Sequence, residues 1–354
     1  MSGLVHALRA FPRPDLRVAV ILLTMTAAAD AQSIDELYVA AKPEGRVVFG
    51  GAIKESAADE LTRAFGKRYP GVQLNYTRRS SEPMVQMVEA DKLAGKVSFD
   101  LLNLTEPADI LRWQKEGFLA KVPMPALTEK MLPGTFDTDG YFHSIGVTPM
   151  YGVYNTKMLK PDTAPRSLKT LLTDPKWVGR IAASRPVRGG TSTGALMAAA
   201  NAVGPDVLLK TAPDLKILLT RGNEAALSAV SSGERWVSWG VSGYRALEAK
   251  QDGDPIELIF WEEGVTLAHF SGVIPAKAPH PNAGRLLLAW LLSDEGQAIV
   301  VRTGNFYSPL KGFKTTPGGQ PPLEKVKLAD FSFEKVVNEG NKLAQAFDKA
   351  VGLK

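Results

Sequence analysis

The sequence predicts an α/β protein of two lobes joined by extended strands. Three observations carry this. Residues 46 to 116 read as strand–helix units repeated in order. A second α/β set begins near Arg180. Between the two lies GYFHSIGVTPMYGVYN, Gly140 to Asn155, which reads as extended crossing strands. Alternating strands and helices imply a largely parallel sheet in each set. The 354 residues suit roughly two domains of about 150 each.

The elements follow in chain order. Ser33 to Ala41 is a helix, with Ser33 as N-cap and Glu36 three residues on, the capping-box spacing. Arg46 to Gly50 is a short buried strand. Glu55 to Tyr69 sets Ala58, Leu61, Ala64 and Phe65 on one helical face, and Pro70-Gly71 stops it. Val72 to Thr77 alternates as a strand does. Met84 to Ala94 is helical, Phe99 to Leu104 is a buried strand, and Ala108 to Glu116 is a helix closed by Gly117.

In the second set, Arg180 to Ala183 is a strand and Thr193 to Val203 a helix. Asp206 to Leu219 is largely helical, interrupted near Pro213, and Gly222 to Ser232 is a further helix. Arg235 to Trp239 and Ile256 to Trp261 are strands. After a strand past Val265 and a Pro-rich turn, Ala283, Leu286, Leu287, Trp290 and Leu291 repeat at helical spacing. Beyond the Pro/Gly-rich stretch Thr315 to Pro322, a last amphipathic helix runs from about Phe333 to Ala350.

Composition narrows the function classes. Apolar residues are 45% and charged residues 22%, ordinary for a globular chain. The net charge of +5 is scattered, with no basic stripe, so no nucleic-acid partner is expected. There is no cysteine, which excludes disulfides, thiolate metal sites and cysteine nucleophiles. Arg9, Arg13 and Arg17 precede the apolar run Val18 to Ala29, and Ala29-Asp30-Ala31 gives an A-x-A site. That pattern predicts a secretory signal peptide over residues 1–31, and export to the periplasm.

Gly190 to Gly194 matches G-x-S-x-G, the serine-hydrolase elbow. Pro186 to Gly190 separate Ser192 from the preceding strand, however, so Ser192 falls on a loop that caps a helix. The histidines available downstream are His269, in an apolar strand context, and His280, in a turn. A hydrolase using Ser192 is therefore the lesser reading, and no enzyme activity is expected. The same loop suits an anion. Its glycines admit backbone N–H groups, Thr191, Ser192 and Thr193 add hydroxyls, and a helix N-terminus follows. Arg185 and Arg188 add charge. A plain N-cap is the alternative.

TRRSSEP, Thr77 to Pro83, lies at a strand end before a helix, where parallel sheets bind ligands. Arg78 and Arg79 could pair with an anion and Ser80 could cap the helix; an exposed basic turn is the alternative. GGAIKES (Gly50 to Ser56) and NLTEP (Asn103 to Pro107) occupy equivalent strand ends. Metal ligands are sparse, and neither G-x-G-x-x-G after the first strand nor a Walker A motif occurs, so no cofactor is expected.

Three separated segments resemble one family. They are YNTKMLK…APRSLKTLLTDPKWVGRIAAS (Tyr154 to Ser184), APHPNAGRLLLAWLLSDEGQ (Ala278 to Gln297) and AFGKRYPGVQLNYTR (Ala64 to Arg78). Together they resemble the bacterial extracellular solute-binding proteins of ABC importers, in the branch holding ferric-, thiamine- and phosphonate-binding members. The likeness spans about residues 45 to 312.

The resemblance implies a type II periplasmic-binding-protein-like fold. Each lobe would be a mixed sheet flanked by helices, with the ligand in the interlobe cleft. Lobe 1 would comprise residues 32–145 plus 271–305, and lobe 2 residues 146–270 plus 306–354. The family's ligand loops fall on Gly51 to Lys54, Arg78 to Ser81, Asn103 to Glu106, Arg188 to Thr193 and Val241 to Tyr244. The expected ligand set is Lys54, Arg78, Arg79, Ser80, Thr105, Arg188, Thr191, Ser192, Thr193, Trp239 and Tyr244. The ferric-binding branch carries two adjacent tyrosines. Here WGVSGYRAL has Gly243 at the first position and keeps only Tyr244. A small organic anion is thus the expected ligand. Ferric iron with a synergistic anion, held partly by Tyr244, is the alternative. The expected partners are that ligand and a membrane permease, with the protein itself a monomer.

Overall fold

The computed structural model describes residues 33–186, 190–329 and 332–353. The signal-peptide expectation for residues 1–31 lies outside them, as does Arg188. Nine strands form one sheet: β1 (Arg46–Gly51), β2 (Gln73–Arg78), β3 (Leu101–Leu104), β4 (His143–Asn155), β5 (Ile181–Ser184), β6 (Leu218–Thr220), β7 (Val237–Ser242), β8 (Ile256–Ile259) and β9 (Leu267–Val273). Their order is β2-β1-β3-β9-β4-β7-β5-β6, with β8 also on β4.

The pairing explains how two cores share one sheet. β1 pairs parallel with β2 and β3, and β5 pairs parallel with β6 and β7. Between these parallel groups, β4 and β9 run antiparallel. The first half of β4 pairs with β9, while its second half pairs with β7 and β8. Its 13 residues are all buried. One strand thus leaves one core and enters the other: Ile145 packs in the first and Val147 and Tyr151 in the second.

The first core gathers Phe49, Leu61, Phe65, Phe270 and Trp290 on one sheet face, with Phe65 and Trp290 edge-to-face at 5.4 Å. Met84, Leu102, Leu104, Ile110 and Trp113 form a smaller cluster. β3 alternates Leu101 into the first and Leu102 and Leu104 into the second of these, as a strand with both faces covered must. The second core holds Leu171, Trp177, Ile181, Trp239 and Phe347. Asp100 fastens β3 to its neighbours. Its fully buried carboxylate accepts from Val48 N at 2.7 Å, His280 N at 2.7 Å and His280 Nδ1 at 2.9 Å.

Most elements lie where periodicity places them, including the Ser33–Glu36 capping box. Two differ. The stretch expected to be helical through Leu219 breaks into the helix Pro205–Thr211 and β6. Lys216 takes φ 49°, and pairing along β5 claims the residues that follow. The last helix is also not uniform: Val336–Gly340 forms a π-helical turn before the helix Asn341–Ala350.

Candidate functional site

The C-terminal ends of β1, β2 and β3 lie at one end of the sheet, where each feeds a short turn into a helix. β1 leads through Lys54, in the N-cap position, into the helix Glu55–Arg68. β2 leads through Arg79 and Ser80 into Ser81–Leu93, and β3 leads through Thr105 into Pro107–Lys115. From the second core, the helices Thr191–Val203, Asn223–Ser231 and Gly243–Gln251 bring their N-termini to the same region.

The ion pairs define one part of the site. Lys54 Nζ lies 2.7 Å from Glu248 Oε1, so a residue beside the first core reaches one beside the second. Arg245 Nη1 donates to Glu248 at 2.9 Å and Arg245 Nη2 lies 2.8 Å from Glu224. Burial pushes the Glu248 carboxyl up, but Lys54 and Arg245 outweigh it and hold it below the usual carboxylate range. The Arg245 side chain is only 14% exposed, and its Nε is buried with no partner among the described residues. Its guanidinium lies 5.0 Å from the centre of the Tyr244 ring.

Tyr244 begins its helix because Gly243 leaves room for it. A side chain at Gly243 would meet Pro149 O and Tyr151 at 2.8 Å. The Tyr244 ring stacks on Phe306 at 4.9 Å and meets Phe270 edge-on at 5.2 Å. Its backbone N donates to Thr148 Oγ1 at 3.0 Å. Burial raises its phenol, an effect Arg245 partly offsets. Tyr76, on β2, donates to Ile53 O at 2.9 Å, and burial raises its phenol too.

Beside this network lies a cavity of about 30 Å³, bounded by Thr105, Met150, Thr191, Thr266, His269 and Val336, among others. Its lining is mostly uncharged. His269 is half-buried and its Nδ1 lies 3.1 Å from Ser144 Oγ; desolvation lowers its imidazole to about 4, so it is neutral. Thr266 Oγ1 has no partner among the described residues.

The expected ligand set divides on this geometry. Thr105 and Thr191 line the cavity. Thr105 N and Oγ1 donate to Glu106 at 3.1 Å each, and Thr191 Oγ1 accepts from Asn223 Nδ2 at 3.1 Å. Tyr244 and Lys54 stand in the charged network. Arg78, Arg79 and Ser80 are exposed, and Arg79 Nη1 donates back to Arg78 O at 2.9 Å. Ser192 and Thr193 are buried in the helix, where Thr193 Oγ1 has no partner among the described residues. Trp239 is 3% exposed and packs edge-to-face on Phe347 at 6.1 Å, in the core rather than on a cleft wall. Arg185, expected to add charge to the anion loop, instead grips Asp348, with Nη2 to Oδ2 at 2.9 Å.

Nothing in this arrangement supplies Ser192 with a base. His269 is bonded to Ser144, His280 to Asp100, and the buried His143 is held near 4 by desolvation. Several residues of the site escaped sequence reading, Arg245 and Val336 among them. Arg245 follows Tyr244 directly, and an arginine in the first turn of a helix was a usable signal. Val336 carried none, because only tertiary folding brings the C-terminal tail here.

The profile of a family described as bacterial extracellular solute-binding protein matches residues 46–305. A Haemophilus influenzae protein of uncharacterised function is 25% identical over 312 residues, 83% of this chain and 87% of that one. Among solved structures, iron-bound HitA from Pseudomonas aeruginosa matches with a TM-score of 0.72 at 18% identity, over 87% of this chain and 99% of that one. The periplasmic binding protein AfuA from Actinobacillus pleuropneumoniae, with exogenous fructose-6-phosphate bound, has a TM-score of 0.72 at 20% identity, over 88% and 100%. The two-lobed fold expected from the resemblance is the fold these proteins share with this chain. No helix among the described residues is long and apolar enough to cross a membrane.

Proposed function

We propose that this chain, which belongs to the bacterial extracellular solute-binding proteins, serves an ABC importer in the periplasm, where it holds a small organic anion between its two cores and delivers it to a permease. It binds without turnover and acts as a monomer. The observation that carries the anion is Arg245. A guanidinium this buried, with an unpartnered Nε and a tyrosine face beside it, is a strong donor awaiting an acceptor. Thr191 and Asn223, at neighbouring helix N-termini, add uncharged donors. The AfuA likeness makes a phosphate-bearing ligand the first to try.

A second reading has one observation behind it. Tyr76 and Tyr244 both pack against the first core, so two phenols are present although Gly243 breaks the adjacent pair. Ferric iron would need them ionised, and burial raises both.

One thermal-shift screen separates the readings. Fructose 6-phosphate, inorganic phosphate, phosphonates, carboxylates and Fe(III) with citrate are each titrated against the exported protein. A ligand at a hundred times its dissociation constant adds about 2.7 kcal/mol. Stabilisation by an organic anion that Arg245→Gln removes supports the proposal. A visible tyrosinate band with Fe(III), and no response to any anion, overturns it.

A further inference from the structure

We propose that the C-terminal residues 332–340 form a strap across the ligand cleft, carried by the second core and seated against the helix Pro107–Lys115, which must lift for a ligand to enter. The inference rests on the cleft reading above and adds its regulation.

The strap meets both walls. Ser332 and Val336 line the cavity with Thr105 and Pro107 from one side and Thr191 and Gly194 from the other. The π-helical turn Val336–Gly340 packs on the helices Pro107–Lys115 and Thr191–Val203. At about 30 Å³ the cavity is far smaller than the roughly 300 Å³ or more of a small-molecule site. The strap is one of the walls whose movement would enlarge it.

The walls differ in how firmly they are held. β4 and β9 pair from His143 to Pro149 across one bulge, and Thr191–Val203 is buried along most of its length. The strap is held least: Ser332, Glu334, Lys335, Asn338 and Glu339 are exposed, and Gly340 is buried. Such sparsely packed segments open at low free energy, and π turns recur at functional sites.

The anchor lies just beyond. Phe347 is fully buried, and Asp348 takes the bidentate pair from Arg185. Gly340 is the joint. A Cβ there would stand 2.6 Å from Thr193 Cγ2 and 2.8 Å from Met197 Sδ. A side chain at this joint would wedge the strap outward while the anchor stays.

The test is amide hydrogen exchange on the ligand-free exported protein, comparing the natural chain with Gly340→Leu and Val336→Asp. Exchange in 107–115 and 191–194 should rise about tenfold in both variants, with 341–350 still protected. Unchanged exchange at 107–115 and 191–194, with faster exchange inside 332–340, overturns the strap. If Gly340→Leu loses its cooperative urea transition, Val336→Asp decides alone, since its side chain borders the cavity rather than the joint. No ligand takes part, so a failed anion screen would count against the cleft reading and leave this outcome standing on its own.

Discussion

Acid should weaken this protein through two histidines before its carboxylates titrate. His143 is buried and His269 half-buried on the two antiparallel strands, and desolvation lowers each imidazole to about 4. An unfolded histidine titrates near 6.5. The unfolded chain therefore binds more protons below that value, and stability falls as pH falls. The stabilisation is fully present above about 6.5 and is lost progressively toward 4. Between pH 7 and pH 5 each histidine should cost about 2 kcal/mol, and the pair about 4 kcal/mol. Glu248 and Glu263, held below the usual carboxylate range, contribute their losses at lower pH. Urea titrations at pH 7, 6 and 5 measure the effect. His269→Gln should lose about half as much stability across that window as the natural chain. Equal losses in the two proteins, or a loss under 1 kcal/mol in the natural chain, would refute the assignment of neutral desolvated imidazoles.

Other consequences are simpler to check. Arg245→Gln should weaken binding of the anion found by thermal shift by roughly 10- to 100-fold in calorimetry, the loss of about 1.5–3 kcal/mol expected for a hydrogen bond to a charged group; Arg245→Lys should restore part of it. Phe347→Ala should cost about 3–5 kcal/mol by urea denaturation, since it empties a fully buried position beside Trp239. Asp100→Ala should cost about 2–5 kcal/mol, because Val48 N and His280 N lose their acceptor in the interior. Ser192→Ala should leave p-nitrophenyl acetate hydrolysis at the level of the natural protein.

What the sequence disclosed was mainly local. Alternation and capping located nearly every strand and helix, and Ser33 with Glu36 formed the box their spacing predicts. The strand-end loops were legible as a group, since β1, β2 and β3 deliver Lys54, Arg79 and Thr105 to one end of the sheet. What side chains do there was much less legible. Arg185 looked available and is spent on Asp348, 163 residues away. Trp239 sits on a strand whose neighbours suggest a wall, yet Phe347 draws it into the core. Both errors have the same source: the C-terminal helix returns to cover the second core, and no periodicity says which face it will choose. Gly243, read as a lost ligand, has a packing reason in the close approach of Pro149 and Tyr151.

The charged network limits how the cleft can be held together. Lys54 and Glu248 are the ion pair that spans the two cores here, but the Lys54 side chain is 43% exposed. Such a pair contributes about 0–1 kcal/mol. That shifts an open-to-closed ratio by about fivefold at most, since tenfold needs about 1.4 kcal/mol. A latch of this strength cannot keep a ligand out or in. It can, however, be exchanged: an entering anion can take Lys54 and the free Nε of Arg245 at little cost in lost pairing, while Glu248 keeps Arg245 Nη1. Affinity would then come from desolvated donors on the second core. The barrier to entry would come from packing at the strap, which is where a substitution should change rates without touching a single charge.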